Sequence, residues 1–162
     1  MKNESQYNLF ISILNGIFFL LFLLFCIDSF TNVDITKQEL KSVVYFGILV
    51  STPVVLIVNG LFYKQLKPKI KSLLFPFLVF VFILIIGPTK IVFSSRVWKT
   101  NKILFINKEN QNLKVEFQMQ DMGALGYNKR TVEVLHHNKW FMTVKSKNKN
   151  FELNTNWIKV NN

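Results

Sequence analysis

Two histidines, His136 and His137, stand side by side and are the only imidazoles in the chain. Imidazole is both a general base and a metal ligand near neutral pH, so these two are the first residues to ask about. Neighbours on a strand project to opposite faces, so the pair cannot converge on one metal ion, and no third ligand of fitting spacing stands near them. The expectation is one ring inside a sheet and one in solvent, with no metal site. Nucleophilic catalysis would need a hydroxyl or thiol beside a base with an orienting acid. Ser94, Ser95 and Ser146 stand in no such context. The nearby acids, Glu109, Glu116, Asp121, Glu133 and Glu152, are scattered on expected polar faces and suggest no acid/base pair. The residues therefore point away from an enzyme and call for no cofactor.

A second group is the loop Asp121-Met122-Gly123-Ala124-Leu125-Gly126-Tyr127. Glycines three residues apart permit positive φ or a close backbone approach. The loop lacks both GxGxxG and GxxxxGK[ST] spacing and opens no helix, so it is not a phosphate loop. A wide connection between hairpins is the plain reading. The functional reading is a ligand-binding loop made by Gly123, Gly126, Tyr127, Lys129 and Arg130, offering one ring and two charges.

The 162 residues carry a formal charge of +11, yet 18 of the 20 basic residues are Lys. Phosphate recognition exploits the planar fork of Arg, and only Arg96 and Arg130 supply it. Together with heavy use of Asn, Ile and Phe, this bias is what an AT-rich genome produces, and nucleic acid is disfavoured as a partner. The single Cys26 excludes a disulfide framework and a Cys-based zinc site within one chain. Phe25 stands where a lipoprotein cleavage box needs a small residue, so Cys26 reads as an apolar filler.

The elements that must position these groups are of two kinds. Residues 1–93 hold 13 of the 17 Phe, whereas residues 94–162 hold 12 of the 20 basic residues. Three runs, 9–27, 43–63 and 73–93, are apolar all round and long enough for a bilayer's hydrocarbon core. The third contains Gly87-Pro88, and an alternative places its helix from Ile70 to Ile86. Beyond residue 94 the apolar period becomes two: Leu113, Val115, Phe117 and Met119 alternate with Lys114, Glu116, Gln118 and Gln120, which predicts a strand with its apolar face buried. Further strands are expected at 102–107, 131–136, 140–145 and, more weakly, 151–153 and 157–160. The fold class expected is therefore a membrane α + β protein: a transmembrane region over 1–93, then a small antiparallel β domain of four to six strands over 94–162.

The link between the second and third runs carries Lys64, Lys67, Lys69 and Lys71 and no acid. By the positive-inside rule it belongs in the cytoplasm, which places the N-terminus inside and the β domain outside. Lys90, Arg96, Lys99 and Lys102 oppose this tally. Lys90 and Trp98, with the four lysines of the link, read as membrane-interface anchors. The reading is a small bacterial inner-membrane protein with a noncatalytic accessory or binding role. Its partners are the lipid bilayer and a second copy or another membrane protein. In plan alone the chain is similar to small membrane effectors of bacterial defence, whose cytosolic β domain senses a cyclic nucleotide, although no residue motif carries that likeness. An immunity-type protein at the membrane is a third reading.

Overall fold

A computed structural model describes residues 2–63, 65–146 and 156–160. The chain divides into two compact units, one of Met1–Phe25 with Val43–Ser94 and one of Cys26–Ser42 with Ser95–Asn162. Three helices are long and apolar enough to cross a membrane: α1 (Lys2–Phe30), α2 (Gln38–Phe62) and α3 (Leu66–Ile86). Their candidate spans are 22, 25 and 21 residues, with mean hydropathy of 2.7, 2.0 and 2.4.

In the helical unit, residues seven apart along α1, Ile11, Phe18 and Phe25, are buried. So are Val44, Ile48, Thr52, Val55 and Asn59 of α2 and Val79 and Ile83 of α3. The remaining faces expose Phe10, Ile17, Leu20, Ile57, Leu84 and Ile85, as expected of helices whose outer solvent is lipid. Phe75 receives Phe18, Phe19 and Phe22 at centroid distances of 5.5–5.7 Å. Two asparagines pair between α1 and α2. Asn59 Nδ2 donates to Asn15 Oδ1 (3.0 Å) and to the Ser72 carbonyl (3.2 Å), while Asn15 Nδ2 donates to Asn59 Oδ1 (3.2 Å).

The third apolar run corrects the 73–93 expectation. It is two helices, α3 and the short α4 (Pro88–Ser94). Gly87 takes φ +94, a conformation that L side chains rarely adopt, and Pro88 has no N–H to continue the ladder. The break leaves α3 closer to the Ile70–Ile86 alternative.

The second unit is built on a six-stranded antiparallel sheet. Its strands are β1 (Val33–Ile35), β2 (Lys99–Asn107), β3 (Leu113–Asp121), β4 (Tyr127–His136), β5 (Phe141–Ser146) and β6 (Trp157–Lys159), in the order β1-β5-β4-β3-β2-β6. The four central strands fall close to where alternation placed them, and Asn107 Oδ1 accepts from the Glu109 and Asn110 amides to turn the β2–β3 hairpin. The expected run 151–153 lies outside the described residues. Sequence reading missed β1, a three-residue strand in the α1–α2 link that pairs Val33 with Thr143 and Ile35 with Phe141.

The faces of β3 are a further correction. Glu116, Gln118 and Gln120, expected in solvent, are buried, whereas of the expected apolar face Val115 is buried but Leu113, Phe117 and Met119 are only half-buried. Register explains the inversion: Glu116 stands opposite Val132 and Lys114 opposite Val134, so the β3 polar residues share a face with the apolar cluster Val132, Val134, Met142 and Val144. Glu116 faces Val132, yet its carboxylate meets His136 four residues farther along, about 13 Å away on a flat strand. Register shifts interrupt the β2–β3 and β4–β5 pairings, the irregularities at which strands bend.

Candidate functional site

The face of the sheet that holds the valine cluster also carries a connected polar network. Glu116 is 2% exposed and has its acceptors filled from three sides. Thr100 Oγ1 donates to Oε2 at 2.6 Å, Gln118 Nε2 donates to the same oxygen at 2.8 Å, and His136 Nε2 lies 2.8 Å from Oε1. An ionised carboxylate only accepts, so the imidazole Nε2 carries the proton of that bond. Burial raises the Glu116 pKa, but the hydrogen bonds from His136, Thr100 and Gln118, with the charge of His136, outweigh it and hold the carboxyl below its usual range.

Gln118 passes the network on. Its Oε1 accepts from Arg130 Nε at 2.8 Å, and Arg130 NH2 is paired with the Asp34 carboxylate of β1. The guanidinium also lies over the Trp98 ring, 4.2 Å from its centroid, a cation–π stack. Gln120 Nε2 donates to the Arg96 carbonyl at 2.8 Å. Within the same unit a second ion pair joins the end of α1 to the start of α2. Lys41 Nζ sits 2.9 Å from Asp28 Oδ2 with both side chains at most 5% exposed, and Asp28 Oδ1 accepts from the Ile35 amide at 2.6 Å. Gln38 adds hydrogen bonds to the Ser95 carbonyl and from the Val97 amide.

The sequence-predicted ligand residues are only partly brought together. Gly123 and Gly126 take φ of +65 and +87 and close a tight tip, in which Asp121 Oδ1 accepts from the Gly123 amide and Met122 N–H donates to the Gly126 carbonyl. Leu125, Tyr127 and Lys129 are exposed on or beside this tip. Arg130 is separated from them: adjacent strand residues face opposite ways, and Arg130 points into the network. Trp98, expected as a membrane-interface anchor, packs under Arg130 and against the valine cluster. Lys67, Lys71 and Lys90 are exposed, Lys69 is half-buried, and Lys64 lies outside the described residues.

His137 is exposed with Nε2 2.7 Å from Thr143 Oγ1, on the opposite side of the sheet from His136. Among the described residues no three His, Cys, Asp or Glu side chains converge as metal ligands. Sequence reasoning missed the Glu116–His136 pair and the Asp34–Arg130 bridge; the only signal for either was the strand register. What the network does chemically is lock: each donor named meets a fixed acceptor, which pins β1, β2, β3 and β4 to one another.

Comparison with protein-family models, with curated proteins and with solved structures finds no match to this chain.

Proposed function

We propose that this chain is a noncatalytic accessory or binding protein of the bacterial envelope, with its β domain held outside the cytoplasm by three membrane-spanning helices. The observation that carries the proposal is β1. The α1–α2 link pairs through β5 with the C-terminal strands, so link and β domain share one side of the membrane, as three spans require. The side follows from charge. The stretch 64–71, from the end of α2 into α3, carries four lysines in eight residues and no acid, a tighter cluster than Lys37 and Lys41 at the start of α2 or Lys90, Arg96, Lys99 and Lys102 beyond α3.

The noncatalytic reading rests on the network. Thr100, the hydroxyl nearest the Glu116–His136 pair among the bonds described, donates to the carboxylate itself and is not directed outward by the base. Binding would fall to the exposed tip, where Leu125 and Tyr127 present apolar surface beside Lys129. Residues 94–162, with twelve basic residues against five acidic ones, favour an anionic partner such as a lipid head group or wall polymer.

Paired C-terminal fusions test the placement. Alkaline phosphatase fused at Asn162 should be active and a fluorescent protein at the same point dark. Bright fluorescence without phosphatase activity would put the β domain in the cytoplasm and favour the sensor-type reading.

A further inference from the structure

The helical unit contains a cleft that neither the β domain nor the envelope role accounts for. It has a volume of about 450 Å³ and is bounded by the first turns of the α1 span, the end of α2 and the first turns of α3. These three ends alternate in direction along the chain, so they lie at one membrane face. The polar lining is Ser12, Asn15, Tyr63 and Lys71; the apolar wall includes Phe75 and Pro76. No acid lines it. The Asn15 amide is held by Asn59 and by the Ile11 carbonyl, which closes the inner end with satisfied groups. Lys71 is exposed at the mouth, five residues after the first residue of α3, from where its long side chain can snorkel to lipid phosphates.

We propose that this cleft binds one anionic diacyl phospholipid. The phosphate meets the Lys71 ammonium, with the Ser12 and Tyr63 hydroxyls as neutral donors, and an acyl chain lies along Phe75 and Pro76. Three arguments carry the assignment. A lysine within snorkelling reach of the head groups, with no acid among the described lining residues, attracts an anionic head over a zwitterionic one. Hydroxyl donors around a cation suit phosphate oxygens. An apolar wall running down from that point into hydrocarbon suits a tethered chain and offers nothing to a free anion. The site depends on the three spans but not on which side the β domain faces.

The test uses the full-length protein in uncharged detergent, with native mass spectrometry counting bound dioleoyl phosphatidylglycerol against dioleoyl phosphatidylcholine. Phosphatidylglycerol should be retained preferentially. Lys71→Gln should weaken that retention about fivefold or more, the effect of one head-group-level lysine. Lys71→Arg and the charge-matched Lys90→Gln should keep it. Ser12→Phe, at an exposed lipid-facing position, should block binding with Lys71 intact. Equal retention of phosphatidylcholine, or unchanged binding in Lys71→Gln, would overturn the proposal. So would displacement of the lipid by millimolar inorganic phosphate, which would mark a free-anion site.

Discussion

Glu116 occupies a position where a lone carboxylate would be strongly disfavoured, and three donors make it tolerable there. Its pKa is lowered on folding, so it contributes stability above the ordinary carboxylate range, and that contribution disappears as pH falls through the folded value. All three Trp residues lie in residues 95–162, which makes their fluorescence a reporter of the β domain. In urea titrations followed by that signal, this group's contribution should be constant above about pH 5 and decline under stronger acid. Glu116→Ala should destabilise the domain by about 3 kcal/mol at neutral pH, since it leaves His136, Thr100 and Gln118 without their acceptor. It should also remove this part of the acid dependence; an unaltered acid limb would show that the carboxylate is not held as described. The sequence showed these residue types but not their encounter. Alternation says which residues share a face of one strand, and the choice of inner face then depends on pairing, which a one-residue slip reverses. Here Val132 and Val134 fixed the inner face against the more conspicuous apolar set of β3.

Helices were more legible than strands at the scale of elements, because an all-round apolar run is its own signal whereas a short strand needs a partner to be recognised. β1 has three residues and owes its existence to β5, to the Asp28–Ile35 hydrogen bond and to burial of Ile35. None of these is local in sequence. Gly87-Pro88 marked a break correctly as a chemical matter, but whether the chain would carry on past it as one span was settled by the positive φ at Gly87. Within the bundle, Asn15 and Asn59 exchange hydrogen bonds between α1 and α2, the kind of polar contact that fixes helix rotation where hydrophobicity alone cannot. Asn59→Ala should cost about 1 kcal/mol in detergent-driven unfolding of the helical unit. Adding Asn15→Ala should cost little more, because the first change already breaks the pair. Additive losses would mean that the two amides act independently.

The whole molecule is organised by a chain that leaves the membrane region twice to build one extramembrane unit. The segments Cys26–Ser42 and Ser95–Asn162 are separated in sequence by two membrane-spanning helices, yet one sheet contains strands from both. Three consequences follow from that single pairing: the two segments share a membrane side, Asp34 can reach Arg130, and the β domain is attached through three chain crossings at Cys26, Ser42 and Ser95.

The β1–β5 pairing is therefore the claim to test most directly. The amide of Val144 donates to the Asn32 carbonyl and that of Thr36 to the Trp140 carbonyl, so Val33 and Thr143 form a non-hydrogen-bonded pair, whose close Cα atoms and shared face suit a disulfide. In a Cys26→Ala background, Val33→Cys with Thr143→Cys should cross-link under mild oxidation of isolated membranes and give a redox-dependent shift in gel mobility. Val33→Cys with Met142→Cys, one residue out of register and on opposite faces, should not. Cross-linking of the second pair in place of the first, or of neither, would contradict a sheet that joins the α1–α2 link to the C-terminal strands.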